Sequence, residues 1–325
     1  MEKVLVIQTA FLGDVILATA LLEKIHKDFP GTKISMLVRE GNESLLKDHP
    51  YLEEVLVWKK KSGKWRGLFQ IIKTVRQRRY DAVFNLQRFF SSGLITAFSG
   101  AAVRAGFQKN PFSFLFTHVT QHIIGDHRHE ADRNLSLLKG FGKEGSALPK
   151  LYPNEKDFLA TAAYKNNRYV TMAPASVWFT KQLPENKWEE MIRNASTQLT
   201  IYLLGAPGDH ELCERLAGTG STSVINLAGK LSLLQSAALM RDAQMNYVND
   251  SGPLHIASAM NAPVTAFFCS TVPAFGFGPL SQQTFIIETT EKLECRPCGL
   301  HGYHQCPLQH FRCATTIVVP VPGAA

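Results

Sequence analysis

No stretch of this 325-residue chain reaches the ~18 to 20 uninterrupted apolar residues that a membrane span needs. A single lysine precedes the first apolar strand and no small-residue cleavage site follows, so the N-terminus is not a secretory signal and the mature chain is expected in the cytoplasm. No G-x-G-x-x-G follows the first strand of either half, and G-x-x-x-x-G-K-[ST] occurs nowhere. A dinucleotide dehydrogenase and a P-loop phosphotransferase both lose support. No serine sits in a G-x-S-x-G elbow. Short-period repeats are absent, and so are basic repeats interleaved with aromatics of the kind that stack on single-stranded nucleic acid. Charged residues make up only 19%, but 45% hydrophobic content describes a folded protein rather than a disordered one.

The charge present is one-sided. A formal net charge of +8 asks for an acidic neighbour: nucleic acid, anionic lipid or a phosphorylated substrate. It is densest in "KKKSGKWRGLFQIIKTVRQRRY", Lys59 to Tyr80. There Leu68, Ile71, Ile72 and Val75 share one helical face, while Lys73, Arg76, Arg78 and Arg79 lie mostly off it. Such a basic amphipathic helix suits a membrane surface. The plainer alternative is a solvated helix face over an ordinary core.

The length accommodates two domains. Strand-like segments at Val4–Ile7, Lys33–Val38, Val55–Trp58 and Asp81–Asn85 alternate with helical patterns, as in a parallel sheet covered on both faces. "GKEGSALPKLYPN", Gly142–Asn154, loses periodicity and reads as a linker. The rhythm then restarts: strands at Arg168–Met172, Thr200–Leu204, Met245–Val248 and Val264–Phe268, helices at Glu185–Asn194, Ser232–Arg241 and Leu254–Met260. The expectation is two doubly wound α/β domains, 1–150 and 151–325. Ligands bind beyond the carboxyl ends of such strands, and the crevice between the domains is the default active site.

Four loops follow strand ends. In "VIQTAFLGDVILATALL", Gly13 permits a tight turn and Asp14 falls in the first turn of a helix, where the macrodipole favours a carboxylate. Asp14 is then either a first-turn cap or a functional acid. In "MAPASVWFTKQLPENKW", Ser176 and Thr180 can donate hydrogen bonds and Lys181 supplies a compact cation, a combination suited to a diphosphate. In "YLLGAPGDHEL", Asp209 or Glu211 could accept bonds from ribose hydroxyls; Asp209 reads equally well as a helix cap. In "YVNDSGPLHIASAMNAPV", Asn249-Asp250 end a strand, Pro253 opens a helix, and the N–H groups of Ser251 and Gly252 form an anion site with His255 one turn along.

These loops, in this order, resemble glycosyltransferase family 9, the lipopolysaccharide heptosyltransferases. The likeness runs from "FLGDVILATALL" through "HRHEADRNLSLL" and "PASVWFTK" to "NDSGPLHIASAMNAPVTAFF", the D-[ST]-G-x-x-H element being the most specific. "CRPCGLHGYHQCPLQHFRC" resembles the cysteine-bearing tail of the heptosyltransferase II branch. The resemblance implies two Rossmann-like domains in the GT-B arrangement with a cleft between them, the acceptor on the first and the nucleotide sugar on the second. It implies inverting transfer of heptose from ADP-heptose to the lipid A–Kdo inner core of lipopolysaccharide, with no metal and no cofactor. Asp14 would be the general base, and Gly13 would lie beside the acceptor. Lys181 would neutralise the departing diphosphate, which Ser176, Thr180, Ser251, Gly252 and His255 also hold. Asp250 would orient the donor, Asp209 or Glu211 would bind the ribose, and Leu231 would contact adenine. The chain departs from the family pattern at Val177, where a second hydroxyl can occur, at "KQLPENKW", and in "ATTIVVPVPGAA", which lacks the expected helix.

Two clusters remain. His127, Arg128, His129 and Arg133 precede a helix; Arg128, His129 and Arg133 are candidates to meet an acidic acceptor, a Kdo carboxylate or a lipid A phosphate. Local pairing with Glu130 and Asp132 is the alternative. Cys295, Cys298, Cys306 and Cys313 crowd together with His301, His304 and His310. C-x2-C opens a zinc knuckle, but C-x7-C and C-x6-C are irregular for one, which favours reduced, partly buried thiols. Two competing functions share this sequence: a GT-B transferase using another nucleotide sugar, and a degenerate basic module for anionic membrane or nucleic acid. The leading expectation has no nucleic-acid partner and allows peripheral contact with the inner membrane.

Overall fold

The structure, a computed structural model, describes residues 1–59, 64–219 and 223–323. The chain divides into two compact units, Met1–Tyr152 and Pro153–Ala325, the division falling two residues beyond residue 150. In the first unit the strands are β1 (Lys3–Ile7), β2 (Lys33–Arg39), β3 (Leu52–Trp58), β4 (Ala82–Asn85), β5 (Val103–Phe107) and β6 (His118–Thr120). In the second they are β7 (Tyr169–Ala173), β8 (Thr200–Leu203), β9 (Val224–Asn226), β10 (Asn246–Asn249), β11 (Val264–Phe268) and β12 (Thr284–Glu288). Helices of the first unit are α1 (Leu12–Asp28), α2 (Lys64–Arg78), α3 (Phe90–Ala97) and α4 (Glu130–Leu135). Those of the second are α5 (Glu155–Thr161), α6 (Glu185–Asn194), α7 (His210–Ala217), α8 (Leu233–Arg241), α9 (Gly252–Ala259) and α10 (Arg312–Thr315).

Both sheets are six-stranded, with the orders β3-β2-β1-β4-β5-β6 and β9-β8-β7-β10-β11-β12. All the strand pairs are parallel. Counted within its unit, each follows the same doubly wound order, and the winding reverses between β1 and β4 and between β7 and β10. At such a switch point the two flanking loops leave in opposite directions and open a crevice beyond the strand ends.

Central strands are buried on both faces, which is why they read as unbroken apolar runs. Val4 to Ile7 are fully buried, and so are Met36 to Val38. The expected central strands all form. Val103–Phe107, His118–Thr120, Val224–Asn226 and Thr284–Glu288 are strands that periodicity did not reveal. Three of these lie at sheet edges: β6 and β9 are only three residues long, too short for a periodic signal, and in β12 Phe285 and Ile286 are exposed although apolar. The fourth, β5, carries Arg104 and Gly106, and its glycine makes room for the ring of Phe116.

Of the basic segment at Lys59–Tyr80, residues 60–63 lie outside the described residues. The rest is largely α2, whose Leu68, Ile71 and Val75 pack on Leu5, Ile7, Leu37 and Val83. Full burial of such side chains contributes about 1.5 to 3 kcal/mol each, which is what docks this cationic helix on the sheet. Arg78 pairs with Glu54 through two N–H···O bonds of 2.9 and 2.7 Å. In the second unit Trp188, Met191 and Ile192 of α6 anchor the core against Phe267, and Trp188 Nε1 donates to the Leu183 carbonyl at 3.1 Å. No helix among the described residues is long and apolar enough to cross a membrane.

Candidate active site

In the second unit, the loops after β7, β10 and β11 converge at the switch point. β10 ends in Asn249, which has no solvent exposure. Its amide Nδ2 donates to the Pro174 carbonyl at 2.8 Å, and its Oδ1 accepts the Leu183 N–H at 2.9 Å. One side chain therefore pins both ends of the loop that carries Ser176, Thr180 and Lys181. Next along, Asp250 is buried and its Oδ2 accepts from Thr271 Oγ1 at 2.6 Å. The same oxygen pairs with Lys181 Nζ at 2.7 Å. Lys181 is mostly buried, so the pair is shielded from water and holds the ammonium at the mouth of the crevice. Ser251 is the N-cap of α9 with extended backbone, Pro253 sits in the first turn, and His255 is buried one turn along. The N–H groups at this helix start lack intrahelical partners and suit an anion.

Thr180 departs from expectation. It is 1% exposed; its Oγ1 accepts the Tyr303 N–H at 2.8 Å and takes a bond from Ser270 Oγ at 3.0 Å. Its hydroxyl fastens the C-terminal tail to the Lys181 loop and does not face a ligand. Ser176 is half-buried, with its carbonyl accepting from Gln182 Nε2 at 2.6 Å. Asp209 uses its carboxylate locally, accepting the Ala206 N–H at 2.7 Å, as a cap does. Glu211 is exposed in the first turn of α7. Leu231 is half-buried in the turn before α8. That turn meets the Asp209 loop directly: Gly229 N–H donates to the Gly205 carbonyl at 2.9 Å, and a Cβ on Gly229, which has φ +75°, would lie 2.9 Å from Pro207 Cα.

The tail is part of this architecture. Arg296 Nε donates to the Cys269 carbonyl at 2.7 Å, and its NH2 group to the carbonyls of Phe268 at 3.0 Å and Thr271 at 2.7 Å; it also pairs with Glu288. One guanidinium thus locks the tail onto the end of β11. The six cysteines form no disulfide. Burial pushes the Cys313 thiol up to about 12, with Cys298, Cys306 and Cys295 close enough to add to the shift. Burial raises Cys298 as well. Such thiols stay protonated and unreactive at neutral pH. Cys295 Sγ lies 3.9 Å from His310 Nε2, but among the described residues no group of three His, Cys, Asp or Glu side chains is arranged to hold a metal ion.

In the first unit the loop after β1 leads into α1. Gly13 and Asp14 are half-buried in its first turn, and Asp14 Oδ2 accepts the Phe11 N–H at 3.2 Å. A buried polar floor lies at the switch point. Gln87 Nε2 donates to Gln8 Oε1, Thr9 Oγ1 to Gln87 Oε1 at 3.3 Å, and the Gln87 N–H to Asn85 Oδ1 at 2.9 Å. These bonds tie the loops after β1 and β4 together.

The His127–Arg133 segment is a local network. Arg133 is fully buried; its guanidinium bonds Asp126 Oδ1 at 3.0 Å and Glu130 Oε2 at 3.1 Å. As an acceptor contact it is corrected: a guanidinium with no exposed surface, already facing two carboxylates, cements the start of α4. Arg128 is exposed and bonds Asp126 Oδ2 at 2.6 Å. Desolvation opposes the charge on Asp126, but the bonds from Arg128 and Arg133 outweigh it and hold this carboxyl well below the usual range. His129 caps α4, its Nδ1 accepting the Ala131 N–H at 3.1 Å. Glu130 also receives His122 Nε2 at 3.0 Å.

Sequence reasoning named Lys181, Asp250, Ser251, Gly252 and His255, and the fold brings these together in one unit. It missed Asn249 as a clamp, Thr271 beside Asp250, Arg296 and the Gln8–Gln87 floor. A polar residue ending a buried strand, as Asn85 and Asn249 both do, was the available signal; for Arg296 there was none.

Residues 68–304 match the family described as glycosyltransferase family 9 (heptosyltransferase). The chain belongs to this family. It is 27% identical over 323 residues to lipopolysaccharide heptosyltransferase 1 of Pseudomonas aeruginosa, covering 91% of this chain and 86% of that one. It is 26% identical over 281 residues to lipopolysaccharide heptosyltransferase 3 of Escherichia coli, covering 80% and 82%. The solved E. coli ADP-heptose LPS heptosyltransferase II shares its fold with a TM-score of 0.77 at 22% identity, over 95% of this chain and 96% of that one. Relatives from all three numbered branches match, so the likeness is to the family of heptosyl-transferring enzymes rather than to branch II alone.

Proposed function

We propose that this family 9 enzyme transfers heptose from ADP-heptose to the lipid A–Kdo inner core of lipopolysaccharide, with inversion and without a metal ion. The observation that carries the reading is the Lys181–Asp250 pair, set between the β7 and β10 loops at the start of α9. A fixed ammonium beside free helix N–H groups is what a departing nucleoside diphosphate requires.

In this reading the second unit binds the donor. Lys181 and the N–H groups of Ser251 and Gly252 take the diphosphate, helped by Ser176 and His255. Asp250 positions Lys181 and so orients the donor. Asp209 or Glu211 meets the ribose, and Leu231 lies against the adenine. The first unit presents the acceptor near Gly13, with the exposed Arg128 and the half-buried His129 as contacts for its acidic groups. The acceptor oxygen attacks the anomeric carbon from the face opposite the diphosphate. The carbon–oxygen bond to the diphosphate breaks, ADP departs, and the hydroxyl proton passes to the Asp14 carboxylate. With no metal, Lys181 and the α9 N-terminus carry the leaving-group charge; losing one such donor typically costs about 3 to 4 kcal/mol of barrier.

The test is nucleotide choice followed by product. ADP should raise the melting temperature and UDP or GDP should not; a rise with UDP alone overturns the ADP-heptose donor. Mass spectrometry of the lipid-A-linked core from cells lacking this protein should show a core shorter by one heptose. A core of unchanged length removes the acceptor assignment.

A further inference from the structure

Between Lys59 and Gly125 the sequence holds twelve lysines and arginines and a single acid, Asp81. That local excess of eleven positive charges exceeds the +8 of the entire chain. The same stretch holds nine of the chain's twenty phenylalanines. In the structure several of these rings are on the outside. Trp65 and Phe69 of α2, Phe89 and Phe90 at the start of α3, and Phe114 and Leu115 after β5 are all exposed, Phe114 to 77%. The rings of Trp65, Phe90, Phe112 and Phe114 form a chain. Trp65 meets Phe90 edge-on with ring centroids 6.4 Å apart, Phe90 meets Phe112 at 5.0 Å, and Phe112 stacks near Phe114 at 6.3 Å. Exposed cations sit on the same elements: Arg66 and Lys73 on α2, Lys109 after β5, and Arg88, whose guanidinium lies 5.8 Å from the Phe89 ring centre.

This patch is held rigid from below. Asn110 is buried and its Nδ2 donates to the carbonyls of Gln87 at 2.9 Å and Phe89 at 3.2 Å, while its Oδ1 accepts the Phe112 N–H at 2.9 Å. Gly93 of α3 makes the space, since a Cβ there would lie 2.0 Å from Asn110 Oδ1. Through Gln87 the same bonds reach Gln8 and Thr9 in the loop before Asp14. Isolated apolar side chains on a surface need no explanation, but a linked, braced set of aromatics with cations on the same elements marks an interaction site. Aromatic rings settle at the headgroup level of a bilayer, and lysines and arginines beside an anionic leaflet strengthen binding. With Asp81 its single acid, this stretch is the charge complement of such a leaflet.

We infer that this face docks on an anionic phospholipid bilayer, with Trp65, Phe90 and Phe114 entering the headgroup region and Arg66, Lys73, Arg88 and Lys109 meeting lipid phosphates. The inference goes beyond sugar transfer: it requires neither donor nor acceptor. It does explain how an enzyme with no spanning helix among its described residues would find a lipid-anchored substrate. Docking by loops that follow β4 and β5 keeps the bilayer at the same carboxyl end of the parallel strands as Asp14.

The test is cosedimentation of the full-length protein with vesicles free of lipopolysaccharide and nucleotide. Vesicles of 30% phosphatidylglycerol in phosphatidylethanolamine should bind it at least ten times better than phosphatidylcholine vesicles at about 0.1 M salt, where screening is moderate. Trp65→Ser with Phe114→Ser, and separately Arg88→Glu with Lys109→Glu, should each weaken binding at least ten-fold. All four residues are exposed, so the melting temperature of each variant should match the parent, which separates lost docking from lost fold. Vesicles should also shift tryptophan emission to the blue in the parent and not in Trp65→Phe. Equal binding by parent and variants overturns the proposal, as does absence of binding to anionic vesicles. A self-association that Trp65→Ser with Phe114→Ser abolishes, or binding of RNA in place of vesicles, overturns it too. Failure here leaves the ADP titration untouched, and failure of that titration leaves vesicle binding untouched.

Discussion

In the second unit, the ends of β7, β10 and β11 are closed over by polar bonds: Asn249 holds the Lys181 loop, Thr271 and Lys181 share Asp250, and Arg296 ties the tail on. In the first unit, the corresponding ends of β1 and β4 carry a thin polar floor of Gln8, Thr9 and Gln87, together with Asp14 and a rim of exposed rings. The strand order is the same in both. The difference teaches that a doubly wound sheet supplies a place and not a chemistry. In the second unit the buried bonds fix one ammonium beside the start of a helix. In the first unit buried bonds from Asn110 brace loops that turn aromatic rings and cations outward.

The sharpest way to break this division is Asp14→Asn, which keeps the shape and removes the proposed base. Turnover should fall about 10³-fold, near 4 kcal/mol, while the affinity for ADP, which the proposal places in the other unit, stays within two-fold, about the scatter of such titrations. Unchanged transfer removes Asp14 from the mechanism; lost ADP binding removes the separation of roles.

Arg133→Leu comes next. Removing one partner of a buried ionic cluster leaves Asp126 and Glu130 facing each other, and denaturant unfolding should report a loss of about 3 kcal/mol. A surface contact to acceptor would instead weaken acceptor binding with no change in stability. Asn249→Ala tests the brace in the second unit. It strips partners from the Pro174 carbonyl and the Leu183 N–H and should cost about 2 kcal/mol, together with at least a ten-fold loss of ADP affinity as the Lys181 loop loosens. Intact ADP affinity would show that the loop holds itself.

A pH dependence confined to the first unit changes nothing at neutral pH and shows only on acidification. Burial, and after it the neighbouring His26, lowers His49 to about 4. Its Nδ1 accepts the Tyr51 N–H at 3.3 Å, and the ring packs edge-on against Tyr51 and Tyr152. The folded form resists a proton that the unfolded histidine, near 6.5, takes up. Stability should therefore be level above about pH 6.5 and fall as pH drops towards about 4, by at most about 3 kcal/mol from this group. In His49→Phe, thermal unfolding followed between pH 7 and 4 should lose that part of the slope. A slope equal to the parent's would assign it to the carboxylates.

Much of this was legible in order along the chain. Val4–Ile7 and Val264–Phe268 announce buried strands because both their faces are covered, and Gly205, Gly252 and Pro253 mark the loops by what their backbones allow. Lys181, Asp250 and Ser251 could be picked out because polar residues at the ends of apolar runs have few structural excuses. Thr180 and Arg133 were misjudged for one shared reason: a hydroxyl or guanidinium looks the same in sequence whether it faces a ligand or a buried partner far along the chain. Edge strands such as His118–Thr120 were missed because three residues are too short for a periodic signal.

What the amino-acid order by itself determined is the alternation of strand and helix, the two-unit plan and the placing of an acid, a lysine and a D-S-G-x-x-H turn after strand ends, since those depend on side-chain period and local backbone freedom. What only the tertiary structure decided is which polar groups are occupied. Thr180 bonds a residue 123 positions away and Asp250 one 21 positions away. Pairings of that reach depend on how the chain closes its loops in space, and no local pattern records them.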